Sequence, residues 1–307
     1  MRCPQRLWHS IAAATVLTAL MAATAWAQQG LPDPNAPVMG AIASGYRLAS
    51  AGWLARLLPV AQRTFVVLAG IEVAISGAVY GFRRDSLDDA AGRFVLKIGF
   101  LAFLFGLISS FSVWIPPIVS GFASAGERAI GATGTVDPSD VLDIGVSMAG
   151  LLLHALDGLG VLQHPTTAMF GALSAAVVLG AYIVITSQLL ITLVESYVVL
   201  TGGVVFLGLA GWRATAGYAE GFLNYAVFVG ARIFLLYLVV GVGVDLSLQW
   251  LITLRENAAL DLSGTLLWQV VGGAVVFAIL AVRIPNSVAG RVTARPSFGI
   301  AAALRSL

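Results

Sequence analysis

Four charged residues stand inside stretches apolar enough to lie in a membrane. They are Glu72 in "LAGIEVAISGAVYGF", Lys97 in "FVLKIGFLAF", Glu195 in "ITLVESYVVLTGG" and Arg232 in "FVGARIFLLYL". An ionised group in hydrocarbon is costly unless it finds a partner or water, so such residues face a bundle interior or a wet cavity. Two kinds of chemistry fit them: ion pairing that holds helices in register, or the lining of a hydrophilic path. Glu195 and Arg232 fall on successive apolar segments and can pair with each other. Lys97 lies near a segment end, where its long stem predicts snorkelling to the surface. Glu72, Glu195 and Arg232 are therefore the candidate intramembrane residues, for function or for packing. Gly202 and Gly203 join them because they mark where the helix carrying Glu195 is expected to kink.

Hydrolytic and nucleotide-driven chemistry find no support. The sequence has no Gly-rich loop ending in Gly-Lys-Ser/Thr, no His-Glu-x-x-His, no Gly-x-Ser-x-Gly and no Gly-x-Gly-x-x-Gly opening a helix. His154 and His164 lie ten residues apart without a close carboxylate pair, so no metal site is expected there. No cofactor, catalytic residue or enzymatic activity is expected. A soluble nucleic-acid-binding surface is not indicated either, for want of a dense basic stripe with interleaved aromatics.

The elements that must position these charges are set by composition. Of 307 residues, 59% are hydrophobic and 10% charged, and the mean hydropathy is +0.92. A soluble domain is nearer a quarter charged, so this is a membrane protein. Residues 1–27 read as a cleaved secretory signal peptide: Arg2 and Arg6 precede the apolar "IAAATVLTALMAATA", and "AWA" ends at Ala27. Cys3, the single cysteine, falls in that segment, which excludes disulfides and cysteine metal sites from the mature chain.

Residues 28–63 open on the Pro/Gly-rich "QQGLPDPNAPVMG" and continue into an amphipathic stretch with Arg47, Arg56 and Arg63, which suits a helix at a membrane surface or a periplasmic one. A crossing needs about 20 apolar residues. Five stretches qualify: Thr64 to Phe82, Phe94 to Ile115, Thr167 to Gly211, Gly221 to Val244 and Thr265 to Val282. The third is long enough for two crossings, and charge arbitrates. Arg83, Arg84, Arg93 and Lys97 between the first two spans, and Arg283, Arg291, Arg295 and Arg305 in the tail, predict cytoplasmic segments. The segment 116–166 carries Glu127, Asp137, Asp140, Asp143 and Asp157 against one Arg, which predicts an outside loop.

With the N-terminus outside and the C-terminus inside, the number of crossings is odd, and five satisfies it. The expected organisation is an all-α polytopic bundle: a first helix pair over 64–115, a periplasmic loop over 116–166, a transmembrane core over 167–284 and a short cytoplasmic tail over 285–307. Small residues at packing spacing, Gly70, Ala74 and Ala78 and again Ala176 and Gly180, suit close approach of helices within the chain or between copies. Trp114 and Trp212 fit interfacial anchors.

Three blocks carry a resemblance to a known family: "IEVAISGAVYGF", "FLAFLFGLISSFSVWIPPIVSGFASAGERAIG" and "ESYVVLTGGVVFLGLAGWRATAGYAEGFLNYAVFVGARIFLLYLVVGVG". With the tail start "IPNSVAGRV", residues 60–290 resemble the TrbL family of conjugative transfer proteins, relatives of the sixth member of the VirB set. The positions matching the family core are Glu195, Ser196, Tyr197, Gly202, Gly203, Gly208 and Gly211.

The resemblance implies a bacterial inner-membrane subunit of a type IV secretion system, working in mating-pair formation and the passage of DNA or DNA-protein substrate. It further implies other secretion subunits and further copies of the chain as partners, transient contact with transferred DNA, and energy from separate ATPases. Family members often continue into a long low-complexity tail; the short Arg-bearing segment ending at Leu307 matches none of it, so no tail function carries over. Two other readings share the same hydrophobic spans: a small-molecule secondary transporter, against which the absence of internal repeats speaks, and a purely structural assembly subunit.

Overall fold

The computed structural model describes residues 38–82, 87–131, 137–157, 165–257, 264–292 and 299–306. The expected signal peptide, 1–27, lies outside these residues. The described segments form helices α1 (Val38–Phe82), α2 (Leu87–Ser109), α3 (Phe111–Ala129), α4 (Pro138–Asp157), α5 (Pro165–Gly202), α6 (Val204–Gly208), α7 (Ala216–Asn257), α8 (Gly264–Val292) and α9 (Ile300–Ser306), with a 3-10 turn at Leu209–Gly211. Among the described residues the fold is all-α, and five segments are long and apolar enough to cross a membrane: Val38–Val79, Ala91–Ser109, Ala168–Gly211, Ala216–Glu256 and Leu267–Gly290.

The amphipathic lead-in and the first span are one helix. Apolar content rises after Arg63, but nothing there stops a helix, and Pro59 is carried inside α1 although it removes one backbone donor. At 1.5 Å per residue α1 is about 67 Å long, roughly twice the hydrocarbon thickness. Arg47, Arg56 and Arg63 lie exposed along it.

Within 116–166, read as a loop from its acids, much of the backbone is helical. α2 stops at Ser110, and the Trp114 indole donates to Leu107 O at 2.7 Å, capping a carbonyl freed by the break. Trp114 therefore stitches a helix junction. α3 then runs parallel to α7, with aromatic and aliphatic side chains seated over glycines: Tyr237 over Gly126, Phe122 over Gly230 and Ile130 over Gly241. α4 starts on Asp137, whose Oδ1 accepts the Ser139 N–H at 2.8 Å, an N-cap. The Ser139 hydroxyl oxygen accepts the Gly40 N–H at 2.9 Å, so the starts of α1 and α4 meet. α4 lies along α5 with Tyr182 over Gly145.

Two apolar clusters fill the bundle, and α7 runs through both. Ala216, Ala219, Phe222 and Ala226 pack with α1, α2, the start of α3 and Leu304 of α9. Val229, Ile233, Leu236 and Val240 pack with α4, α5 and α8. At the α7–α8 crossing, Phe277 sits over Gly243 and Trp250 over Gly273.

Candidate functional site

Glu195 projects from α5 toward α7, which is antiparallel to it. The Arg232 Nη1 donates to Glu195 Oε2, and the Tyr225 hydroxyl donates to Oε1, so one carboxylate takes a charge-assisted bond on each oxygen. Tyr225 and Arg232 lie seven residues apart, two turns of one helix, which puts both on the face that meets Glu195. The Tyr225 ring stacks on Phe228 with centroids 5.9 Å apart. Glu195 is 21% exposed and Arg232 12%, so the pair reaches the edge of the bundle. The pairing expected between Glu195 and Arg232 is present; Tyr225, a third member one helical stripe away, was not singled out.

The same two helices carry polar atoms without partners. Among the described residues, Thr186 Oγ1, Gln188 Nε2, Asn224 Oδ1 and Arg232 Nε are buried and make no hydrogen bond. All four belong to α5 or α7. Buried polar groups are ordinarily satisfied by protein or water, so this seam offers sites for ordered water or for groups of another chain.

Glu72 occupies a second, separate cluster. Its carboxylate is wholly buried and is held by Lys97 Nζ of α2 at 2.9 Å. Lys97 also donates to Ser76 Oγ at 2.8 Å, and Ser76, one turn from Glu72 on α1, donates to Glu72 Oε1 at 3.4 Å. Arg213, in the short turn before α7, approaches Oε2 with Nε at 3.7 Å and with its backbone N–H at 3.3 Å. The expectation that Lys97 snorkels is thus overturned: its side chain is 3% exposed and points inward, because a wholly buried carboxylate from the neighbouring helix needs a counter-charge more than the ammonium needs water.

The two candidate glycines differ. Gly203 sits at the break after α5 in ordinary right-handed helical conformation, φ −66° and ψ −23°, so the need is for space. A Cβ there would lie 1.7 Å from Phe222 Cε2, whereas one on Gly202 would meet nothing within 4 Å. The helical path resumes through α6 and the 3-10 turn, which lie backbone to backbone against α1. A Cβ on Gly208 would be 2.6 Å from Ala61 O, and one on Gly211 would be 2.6 Å from Phe65 O. Close approach is therefore made here, while Gly70 and Gly180 have no neighbour within 4 Å and Ala74, Ala78 and Ala176 are exposed.

Nothing in this arrangement gathers a metal: among the described residues no three His, Cys, Asp or Glu side chains group to hold an ion, and His154 is exposed on α4. His164 lies outside the described residues. What the geometry provides is two charge clusters, a buried one tying α1 and α2 to the turn before α7 and a partly exposed one tying α5 to α7.

Comparison with known proteins bears on both. A family model described as "TrbL/VirB6 plasmid conjugal transfer protein" matches residues 64–284, a range that holds both clusters. The chain is similar to a probable conjugal transfer protein TrbL of Sinorhizobium fredii, 26% identical over 270 residues, which covers 88% of this chain and 66% of that protein. It is also similar to the conjugal transfer protein TrbL of Rhizobium radiobacter, 25% identical over 229 residues, covering 75% of this chain and 55% of the relative. The chain thus spans 66% or less of the length of these curated relatives.

Proposed function

The chain belongs to the TrbL/VirB6 family of plasmid conjugal transfer proteins, and we propose that it serves as a multi-pass inner-membrane component of a conjugative type IV secretion system. In that role it contributes to mating-pair formation and to the passage of DNA or a DNA-protein substrate. The observation that carries this is the family match over 64–284, the range that includes all or most of four apolar spans and the end of the first, Val38–Val79. Its partners are other inner-membrane secretion subunits and further copies of itself, and separate ATPases supply the energy.

The proposed orientation has the mature N-terminus, after cleavage of 1–27, in the periplasm and the C-terminus in the cytoplasm. Charge distribution supports it, with Arg83 and Arg84 between the first two spans and acids over 116–166. Two contacts are in keeping with it: Gly40 with Ser139 at one end of the bundle, and Glu72 with Arg213 toward the other. Glu195 and Arg232 tie α5 to α7 at a partly exposed edge, and the Arg232 Nε is buried there without a partner. In lipid that edge would be costly. It therefore faces other subunits or a wet path, and transferred DNA would contact the chain transiently there.

The test is mating frequency from a donor carrying an in-frame deletion of the gene, with and without a copy in trans. Collapse with restoration is the expected result. Unchanged transfer would remove the conjugation role.

A further inference from the structure

The turn 212–215 joins the apolar segments Ala168–Gly211 and Ala216–Glu256, and on the orientation proposed above it lies at their cytoplasmic end. Arg213 is unusual there. Its side chain is 38% exposed, yet it leans on a carboxylate that is wholly buried. That carboxylate, Glu72, already has a full counter-charge in Lys97 at 2.9 Å, and the Arg213 contact is the longer one, 3.7 Å.

The direction of that contact matters more than its length. Arg213 meets Glu72 through Nε, the inner nitrogen of the guanidinium, and its backbone N–H bonds the same oxygen at 3.3 Å. The side chain is thus held from its inner nitrogen, and with 38% of it exposed the guanidinium has surface left for a further partner. The outer edge of a guanidinium is the planar two-donor fork that matches phosphate oxygens. The cluster of Glu72, Lys97 and Arg213 holds one negative and two positive groups, which also favours an anion at the open side. Trp212 is half-buried next to it, and Tyr218, on the first turn of α7, is 63% exposed. Aromatic rings of this kind prefer the headgroup level of a bilayer.

We propose that Arg213 is a binding site for the phosphate of an anionic phospholipid headgroup, gripped by the outer guanidinium edge while Glu72 holds the inner one. A lipid fits better than nucleic acid, because a single fork between two spans is no basic stripe and the flanking rings suit an interface. Free phosphate shares the chemistry and is separated by the test.

The full chain is purified and placed in nanodiscs of phosphatidylcholine, alone or mixed with phosphatidylglycerol. Retained lipid is read by native mass spectrometry, and thermal unfolding is followed in parallel. The wild type should retain phosphatidylglycerol in preference to phosphatidylcholine and unfold at a higher temperature in the mixed discs. Arg213→Gln, which leaves the Glu72–Lys97 pair neutral and intact, should lose the preference. Arg213→Lys, which keeps the charge without the fork, should weaken it by roughly an order of magnitude. Arg255→Gln, an exposed arginine in the last turn of α7, should leave it unchanged.

Equal retention of the two lipids by the wild type overturns the proposal, and so does an undiminished preference in Arg213→Gln. If Arg213→Gln does not fold, Arg213→Lys decides, and wild-type preference there overturns the fork. A midpoint rise produced in phosphatidylcholine discs by inorganic phosphate alone, equal to that of the lipid, would assign the site to free phosphate and overturn the lipid reading. A rise given only by a DNA oligonucleotide would do the same.

Discussion

Glu72 and Lys97 form an ion pair of 2.9 Å in which the carboxylate is wholly buried and the ammonium 3% exposed. Neither charge has water to fall back on, so Lys97 depends on Glu72, and Glu72 on Lys97 with a longer contact from Arg213. Removing one member of such a pair strands the other and costs about 3–5 kcal/mol, whereas replacing both by apolar groups of similar volume can be nearly neutral. Glu72→Leu and Lys97→Met should each lower the unfolding temperature and the membrane yield, and the double variant should recover most of the loss. Measured in one detergent as a double-mutant cycle, additive losses would mean that the two residues do not act as a pair.

A second prediction concerns transfer. Glu195 accepts from Tyr225 on one oxygen and from Arg232 on the other. Glu195→Gln keeps hydrogen-bonding capacity on this seam, while Glu195→Leu leaves a nearly buried guanidinium with no partner, a penalty of about 3–5 kcal/mol. Mating frequency should fall further with Leu than with Gln. Full and equal transfer by both variants would take Glu195 out of the mechanism.

These two clusters were unequally legible. Glu195 and Arg232 lie on successive spans that must run antiparallel, so their meeting could be read from order alone, 37 residues apart. Glu72 and Arg213 are 141 residues apart and meet only because α6 and the 3-10 turn carry the chain along α1. That path depends on Gly208 and Gly211, whose need for space is set by a helix far away in sequence. Lys97 looked like a surface lysine because it falls near the start of the apolar run at Phe94, while the helix in fact begins at Leu87 and the buried carboxylate opposite it is invisible in sequence. The five spans were legible from length and hydropathy. Helices α3 and α4 were not, because exposed acids such as Asp140 gave that segment the composition of a loop while Val141, Met148 and Leu152 formed the stripe packed on α5.

Outside the spans, Asp140 gives a pH signature. Though Asp140 is largely exposed, partial desolvation pushes its carboxyl above the ordinary range, and the negative charges of Asp137 and Asp143 push it further. A raised carboxyl binds its proton more tightly in the folded state than in the unfolded one. Its contribution to stability is therefore full below the ordinary carboxylate value, about 3.9, and is lost as pH rises through the raised one. Asp140→Asn should raise the unfolding temperature slightly at neutral pH and make no difference near pH 4 or below. The carboxylate sits in the first turn of α4, where the helix dipole favours negative charge by about 0.3–1 kcal/mol. A lower midpoint for the variant at neutral pH would show that this dipole term outweighs the repulsion.

The last prediction separates two adjacent glycines. Gly202 closes α5 with open space where a Cβ would go, so Gly202→Ala should stabilise the helix end by up to about 0.5–1 kcal/mol through backbone entropy. Gly203→Ala must instead displace the Phe222 ring, which is buried in the cluster shared by α1, α2 and α7. Gly208→Ala is harsher still, because the atom in the way is the backbone oxygen of Ala61, which cannot swing aside. Overpacking of this kind costs about 1–3 kcal/mol, and here it also pushes the segment that ends in Arg213 away from α1. Unfolding midpoints should rank Gly202→Ala at or above wild type, then Gly203→Ala, then Gly208→Ala. Cross-linking between cysteines placed on α1 and on the docked segment, read in the same three backgrounds, should fail only where that segment has lifted. Efficient cross-linking in Gly208→Ala would mean that α1 yields locally and the docking survives.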